Sequence, residues 1–321
     1  MSGQATSLKF EKSIQQLEEK ITELQRLSED NVVDLTTELA ALTQKLSAIK
    51  TETYQNLSPW HITQIARHTD RPLSLDYLTT IFEDFVELHG GRQFPDDKAI
   101  VGGLARFRGR PVVVIGHQKG KDTNDNIYRN FGMPHPEGYR KALRIMNLGN
   151  KFNRPIITFI DTPGAFPGLE AEQRGQAEAI ARNIFEMSFF QVPVVVTIIG
   201  EGGSGGAVAI GVGDRVLMLE NSIYSVISPE GCASILWKDA SRAEDAASAL
   251  KLTSGDLLKL GVVDEVIPEP LGGAHKDYSA TTAAVATAID KHLTELSQLA
   301  PADLVRLRQE KYREMGVFRE D

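Results

Sequence analysis

Residues 200–207 read Gly200-Glu201-Gly202-Gly203-Ser204-Gly205-Gly206-Ala207, after the apolar run 194–199 and before the small-residue stretch 208–212. Five glycines in eight positions at a strand-to-helix junction leave bare backbone N–H groups at a positive helix end. Such a turn is built to approach an anion or a developing oxyanion. Three motifs overlap in it. Gly200-x-Gly202-x-x-Gly205, with Glu220 about 20 residues on, matches the dinucleotide fingerprint. Gly202-x-Ser204-x-Gly206 matches the nucleophile elbow of serine hydrolases. The third reading uses no side chain and makes the adjacent glycine amides an oxyanion hole. A tight turn that merely packs strand on helix is the plain alternative.

Working outward separates them. A dinucleotide crossover needs a helix of roughly a dozen residues, but only about nine stand between Ser204 and Gly213-Asp214, by the same spacing rule. A hydrolase needs a base. His275 and His292 follow Ser204 in the right order but read as loop-like and surface-helical, and His117 sits near a strand end with no sign of reaching Ser204. Ser204 therefore reads as a small turn residue. Asp161-Thr162-Pro163-Gly164 resembles the Asp-x-x-Gly element of GTPases, yet no Gly-x-x-x-x-Gly-Lys-Ser/Thr loop accompanies it. Residues 116–122 are one residue short and end in Asp122. What remains is a pair of glycine-containing turns, 161–168 and 200–207, at the ends of two successive buried strands. In a parallel sheet both lie on one rim, where ligands bind. A rim floored by amides, with few titratable groups, suits enolates and ureido oxyanions.

The rest of the chain supports an α/β architecture. Ile14, Leu17, Ile21 and Leu24 form one apolar seam, and Leu35, Leu39, Leu42, Leu46 and Ile49 a second, with Asp34 placed to cap the second helix. Ser58-Pro59 starts a helix. Ser74 starts another, expected to run through Leu75, Leu78, Phe82 and Phe85 to His89. Residues 98–107 and 111–116 read as a β-hairpin across Arg108-Gly109-Arg110. Apolar strands at 155–160, 194–199, 216–219 and 262–267 alternate with helices at 138–152 and 177–187, which predicts a mostly parallel sheet covered on both faces. Residues 302–314 form a charged amphipathic helix.

At 321 residues and 41% hydrophobic content the chain can bury a full core. A net charge of −8 with no long basic run does not favour nucleic acid. Neither a membrane span nor a secretory leader is indicated, so a cytosolic protein is expected. The single cysteine, Cys232, reads as a buried small residue and rules out internal disulfides and a Cys-based zinc knuckle within the chain.

Longer blocks carry a resemblance. They are 99–103 with Gly109-Arg110-Pro111, His117-Gln118-Lys119-Gly120, Asn130-Phe131-Gly132-Met133-Pro134, 136–142, 160–168, 200–213, 225–237 and 268–275. Together they resemble the alpha subunits of bacterial acetyl-CoA carboxylase carboxyltransferase over nearly the whole chain, with residues 1–57 and the tail after Lys276 least specific. The resemblance implies a crotonase-like (Clp peptidase/crotonase) fold at 58–296, an N-terminal helical hairpin at 1–57 for subunit contact, and a C-terminal helix within 297–321. It implies a zinc-bearing beta subunit in an alpha2beta2 assembly, with no metal in this chain. It implies transfer of a carboxyl group from carboxybiotin on a biotin carboxyl carrier protein to acetyl-CoA, giving malonyl-CoA for fatty acid synthesis. On the family pattern the N–H groups of Gly205 and Gly206 hold the biotin ureido oxygen. Gly164, Ala165, Gly202, Gly203 and Ala207 shape the carboxybiotin side. No protein general base is required, because the biotin nitrogen takes the acetyl proton. A serine peptidase or esterase using Ser204 is the alternative. Gly91 stands where relatives usually carry Asp, and Phe166 where some carry Tyr. Lys119 and Lys121 read either as steering cations or as a solvated loop face, and Asp161 as a turn-setting acid.

Overall fold

The computed structural model describes residues 8–29 and 35–316. Its centre is an eight-stranded mixed sheet. The strands are β1 (Glu83–Glu87), β2 (Ile100–Phe107), β3 (Arg110–His117), β4 (Ile156–Thr162), β5 (Val194–Gly203), β6 (Arg215–Leu219), β7 (Ile223–Ser225) and β8 (Glu265–Ile267). The order is β1-β2-β3-β4-β5-β6-β8, with β7 paired to the end of β5. Strands β3 to β6 and β8 run parallel, whereas β1, β2 and β3 are antiparallel.

Two apolar layers cover the sheet, as the continuous hydrophobic strands require. Val112, Val114, Ile157, Phe159 and Val195 face the helices Ser74–Ile81 and Tyr278–Leu296. Their alternates Val113, Ile115, Ile156, Val194 and Val196 face Pro136–Lys151 and Gln176–Met187.

The antiparallel edge corrects the expected long helix from Ser74. That helix ends at Ile81, and β1 begins at Glu83. The spacing of Phe82 and Phe85 fits a helix, but strand pairing wins. Asp84 turns through a left-handed conformation (φ +51°), and Phe82 packs on Phe107 and Phe159 at 5.4 and 6.1 Å. Gly103 admits β1: a Cβ there would lie 2.0 Å from Val86 O.

The N-terminal hairpin consists of Lys12–Glu29 and Thr36–Gln55. Ile14 and Ile21 are buried, and Leu39, Leu42, Leu46 and Ile49 half-buried. The expected cap Asp34 lies outside the described residues. The C-terminal helix, Pro301–Glu314, is clamped to the body by buried Arg308. Cys232 is free and buried.

Candidate active site

The two turns meet backbone to backbone on one rim of the sheet. β4 runs on to Thr162 and β5 to Gly203, so the first half of the glycine octapeptide is strand rather than turn. The helix that follows is only Ser204–Val208. Five residues contribute little macrodipole, so the anion-binding capacity rests on local amides. The short helix also removes the dinucleotide reading.

Gly206 is buried against the facing turn, where an added Cβ would lie 2.5 Å from both Ala165 N and Gly164 C. At Gly203 it would lie 2.2 Å from Pro163 O. Gly164 holds φ +153°, and the Thr162 hydroxyl donates to its carbonyl at 2.8 Å. Gly205 differs: it is half-buried, and a Cβ would have ordinary contact at 3.6 Å with Ile180 Cδ1. Gly205 and Gly206 sit in the first turn of their helix, where N–H groups have no intrahelical acceptor.

Gly164, Ala165, Gly203 and Gly206 are thus brought together. Gly202 is paired inside the sheet with Thr162 and Tyr224, and Ala207 is fully buried.

Ser204 does adopt an elbow conformation, with φ +53° and an exposed side chain, but its hydroxyl makes no hydrogen bond with a described residue. None of the histidines serves it. His275 stacks on His68 at 4.0 Å, while His292 is buried, not on the surface as its helix suggested, and hydrogen-bonds Glu265 at 2.8 Å. His117 is fully buried with its ring against the backbone of Gly206 and Phe159; burial pushes its pKa down to about 3, outweighing those contacts. Neither ring nitrogen completes a hydrogen bond of normal geometry.

The charged residues near the rim point inward. Lys119 Nζ meets Asp161 Oδ1 at 2.6 Å and Glu201 Oε2 at 3.9 Å, and Glu201 also binds Arg67 at 2.6 Å. Lys121 is exposed and pairs with Asp76. The inward network was the part that sequence reading missed; its one signal is an acid, Asp161, at the end of an otherwise apolar strand. Phe166 stacks on His135 at 4.2 Å, and a Cβ added at Gly91 would lie 3.4 Å from Arg140 Cβ. Among the described residues no cluster of His, Cys, Asp or Glu could hold a metal, and no helix is long and apolar enough to cross a membrane.

A mixed sheet covered by helices on both faces has the crotonase-like fold. The chain superposes on the transcarboxylase 12S core with a TM-score of 0.56 at 21% identity, covering 70% of this chain and 42% of that one. It superposes on a chain of a Pseudomonas malonate decarboxylase hetero-tetramer in complex with coenzyme A with a TM-score of 0.56 at 17% identity, covering 68% and 90%. Sequence narrows the class. The family model described as acetyl co-enzyme A carboxylase carboxyltransferase-like matches residues 7–316. The acetyl-coenzyme A carboxylase carboxyl transferase subunit alpha of Geobacter metallireducens is 58% identical over 313 residues, 98% of each chain. That of Listeria monocytogenes is 54% identical over 314 residues, covering 98% of this chain and 99% of the relative. The chain belongs to the acetyl-CoA carboxylase carboxyltransferase alpha-subunit family. The comparisons give the peptidase reading no support.

Proposed function

We propose that this chain is the alpha half of a carboxyltransferase that passes a carboxyl group from carboxybiotin to acetyl-CoA, forming malonyl-CoA for fatty acid synthesis. Its named relatives and its family model support the activity. What supports the site is the close packing of Gly206 on Gly164, which seats the Gly205–Gly206 turn against the facing turn.

Carboxybiotin supplies a carboxyl group on an activated nitrogen, and its departure leaves charge on the ureido oxygen. The residues present fit that group: Gly205 and Gly206 stand in the first turn of their helix, where N–H groups have no intrahelical acceptor and can meet an oxyanion. The Gly205 and Gly206 amides hold this oxygen, each donor worth about 3–4 kcal/mol in a site of this kind. Gly164, Ala165 and Gly203 form the facing contact on the carboxybiotin side, and Gly202 and Ala207 shape that side from within the sheet and the buried turn. Neutral His117 stays out of proton transfer.

The acetyl-CoA half of the site belongs to a beta subunit, which carries the zinc, in an alpha2beta2 assembly. The N-terminal hairpin contributes subunit contact, and a carrier protein delivers the biotin. The complex works in the cytoplasm, in keeping with a lone cysteine and no disulfide. Mixing the chain with its beta subunit and following malonyl-CoA formation tests the reading. Transfer should require both proteins; transfer by this chain alone, or none from the mixture, overturns it.

A further inference from the structure

β5 takes an irregular step just before the glycine turn. Between Ile160 and Thr162, β4 advances two residues while β5 advances four, from Ile198 to Gly202. Over the same step β5 changes its other neighbour. Ile198 is its last residue paired with β6, and Glu201 its first paired with β7. A bulge of this kind bends the strand and strips backbone groups of ladder partners, which must be found elsewhere.

Two buried side chains supply them. Arg71 Nε donates to Ile199 O at 2.6 Å, and Asp161 Oδ1 accepts the Glu201 N–H at 2.9 Å. Each is fixed in turn. The Arg71 guanidinium forks onto buried Glu269 and donates to Ser222 Oγ at 3.1 Å. Asp161 is 3% exposed and neutralised by Lys119 Nζ at 2.6 Å. Gly200 lets the carboxylate reach the bulge, because a Cβ there would lie 2.5 Å from Asp161 Oδ1. Gly205 and Gly206 follow within five residues of Glu201, so a shift of the bulge is carried into their amides.

We propose that Asp161 and Arg71 are positioning residues for carboxyl transfer, holding the β5 bulge that aims the Gly205 and Gly206 amides. The proposal rests on the role given to those amides above. Neither side chain touches substrate. Their effect is on where the oxyanion donors point, and a misplacement of about 1 Å can cost about 100-fold in rate.

The test uses the reconstituted alpha–beta complex. Asp161→Ala removes the acceptor for Glu201. It should lower kcat about 100-fold while the KM for acetyl-CoA stays within about 3-fold. Asp161→Asn keeps an oxygen facing the Glu201 amide and should recover at least about ten-fold of that loss. Gly200→Ala is a second variant, which pushes the carboxylate off the bulge without removing a charge and should give the same kcat-selected loss. Amide hydrogen exchange should quicken over 199–206 in Asp161→Ala and Gly200→Ala and stay unchanged in β2 and β3. Wild-type kcat in Asp161→Ala overturns the proposal. So does a loss of kcat that Asn does not rescue, with exchange raised evenly across the sheet. The exchange measurement needs no turnover, so unchanged protection over 199–206 defeats the bulge claim alone, whereas an inactive wild-type complex defeats the carboxyl-transfer reading.

Discussion

Arg308 and Asp214 form a fully buried pair that joins the last helix to the sheet. Nε and Nη2 of Arg308 donate to the two carboxylate oxygens at 2.9 and 2.7 Å. Its other N–H groups go to the carbonyls of Met187 and Phe190 at 2.7 and 2.8 Å and of Val192 at 2.9 Å. All five donors of the guanidinium are therefore used, which a lysine ammonium cannot reproduce. Removing one partner of a buried pair leaves an uncompensated charge. Arg308→Ala should lower unfolding stability by about 3–5 kcal/mol, and Arg308→Lys should rescue only part of it. Urea midpoints at fixed m-value measure this, and a midpoint unchanged in Arg308→Ala would refute it.

Acid should destabilise the protein through His117. The ring is held neutral in the folded state with a pKa near 3, against 6.5 when unfolded. Below 6.5 the unfolded chain takes up a proton that the folded chain refuses, so stability is full above that pH and falls as pH drops toward 3. His275 acts in the same sense, its pKa pushed to about 3 by burial and by His68, Lys276 and Arg71 beside it. Between pH 7 and pH 5, His117 alone should cost about 2 kcal/mol. His117→Gln should shrink the drop in unfolding free energy over that interval by this amount. An equal drop in variant and wild type would show that His117 does not carry it.

How far these features could be read from sequence depends on how local their causes are. The glycine turn was legible because five glycines after an apolar run leave few conformational choices. The strands 156–160 and 194–198 were legible because unbroken runs of large, mostly β-branched residues cannot be covered by one face alone. β1 was not, since Phe82 and Phe85 are spaced for a helix and only the distant Gly103 makes room for a strand. Arg308 was invisible on a charged helix, where Arg306 two residues earlier is exposed and pairs with Glu310 at 2.9 Å. The bulge was equally hidden, because its satisfying groups, Arg71 and Asp161, come from 128 and 40 residues away. Asp161 could be noticed, but not its partner.

On the function proposed, backbone amides, not the Ser204 hydroxyl, stabilise the charge that develops on this rim. This is tested most directly by the turnover of three variants in the alpha–beta complex. Gly206→Ala forces a methyl into the Gly164 backbone and should lower kcat by about 100-fold or more, with the protein still folded by circular dichroism. Gly205→Ala, where the structure has room, should stay within about 3-fold, since an alanine keeps the N–H. Ser204→Ala should also stay close to wild type. Loss of turnover in Ser204→Ala beside an active Gly206→Ala complex would contradict the account.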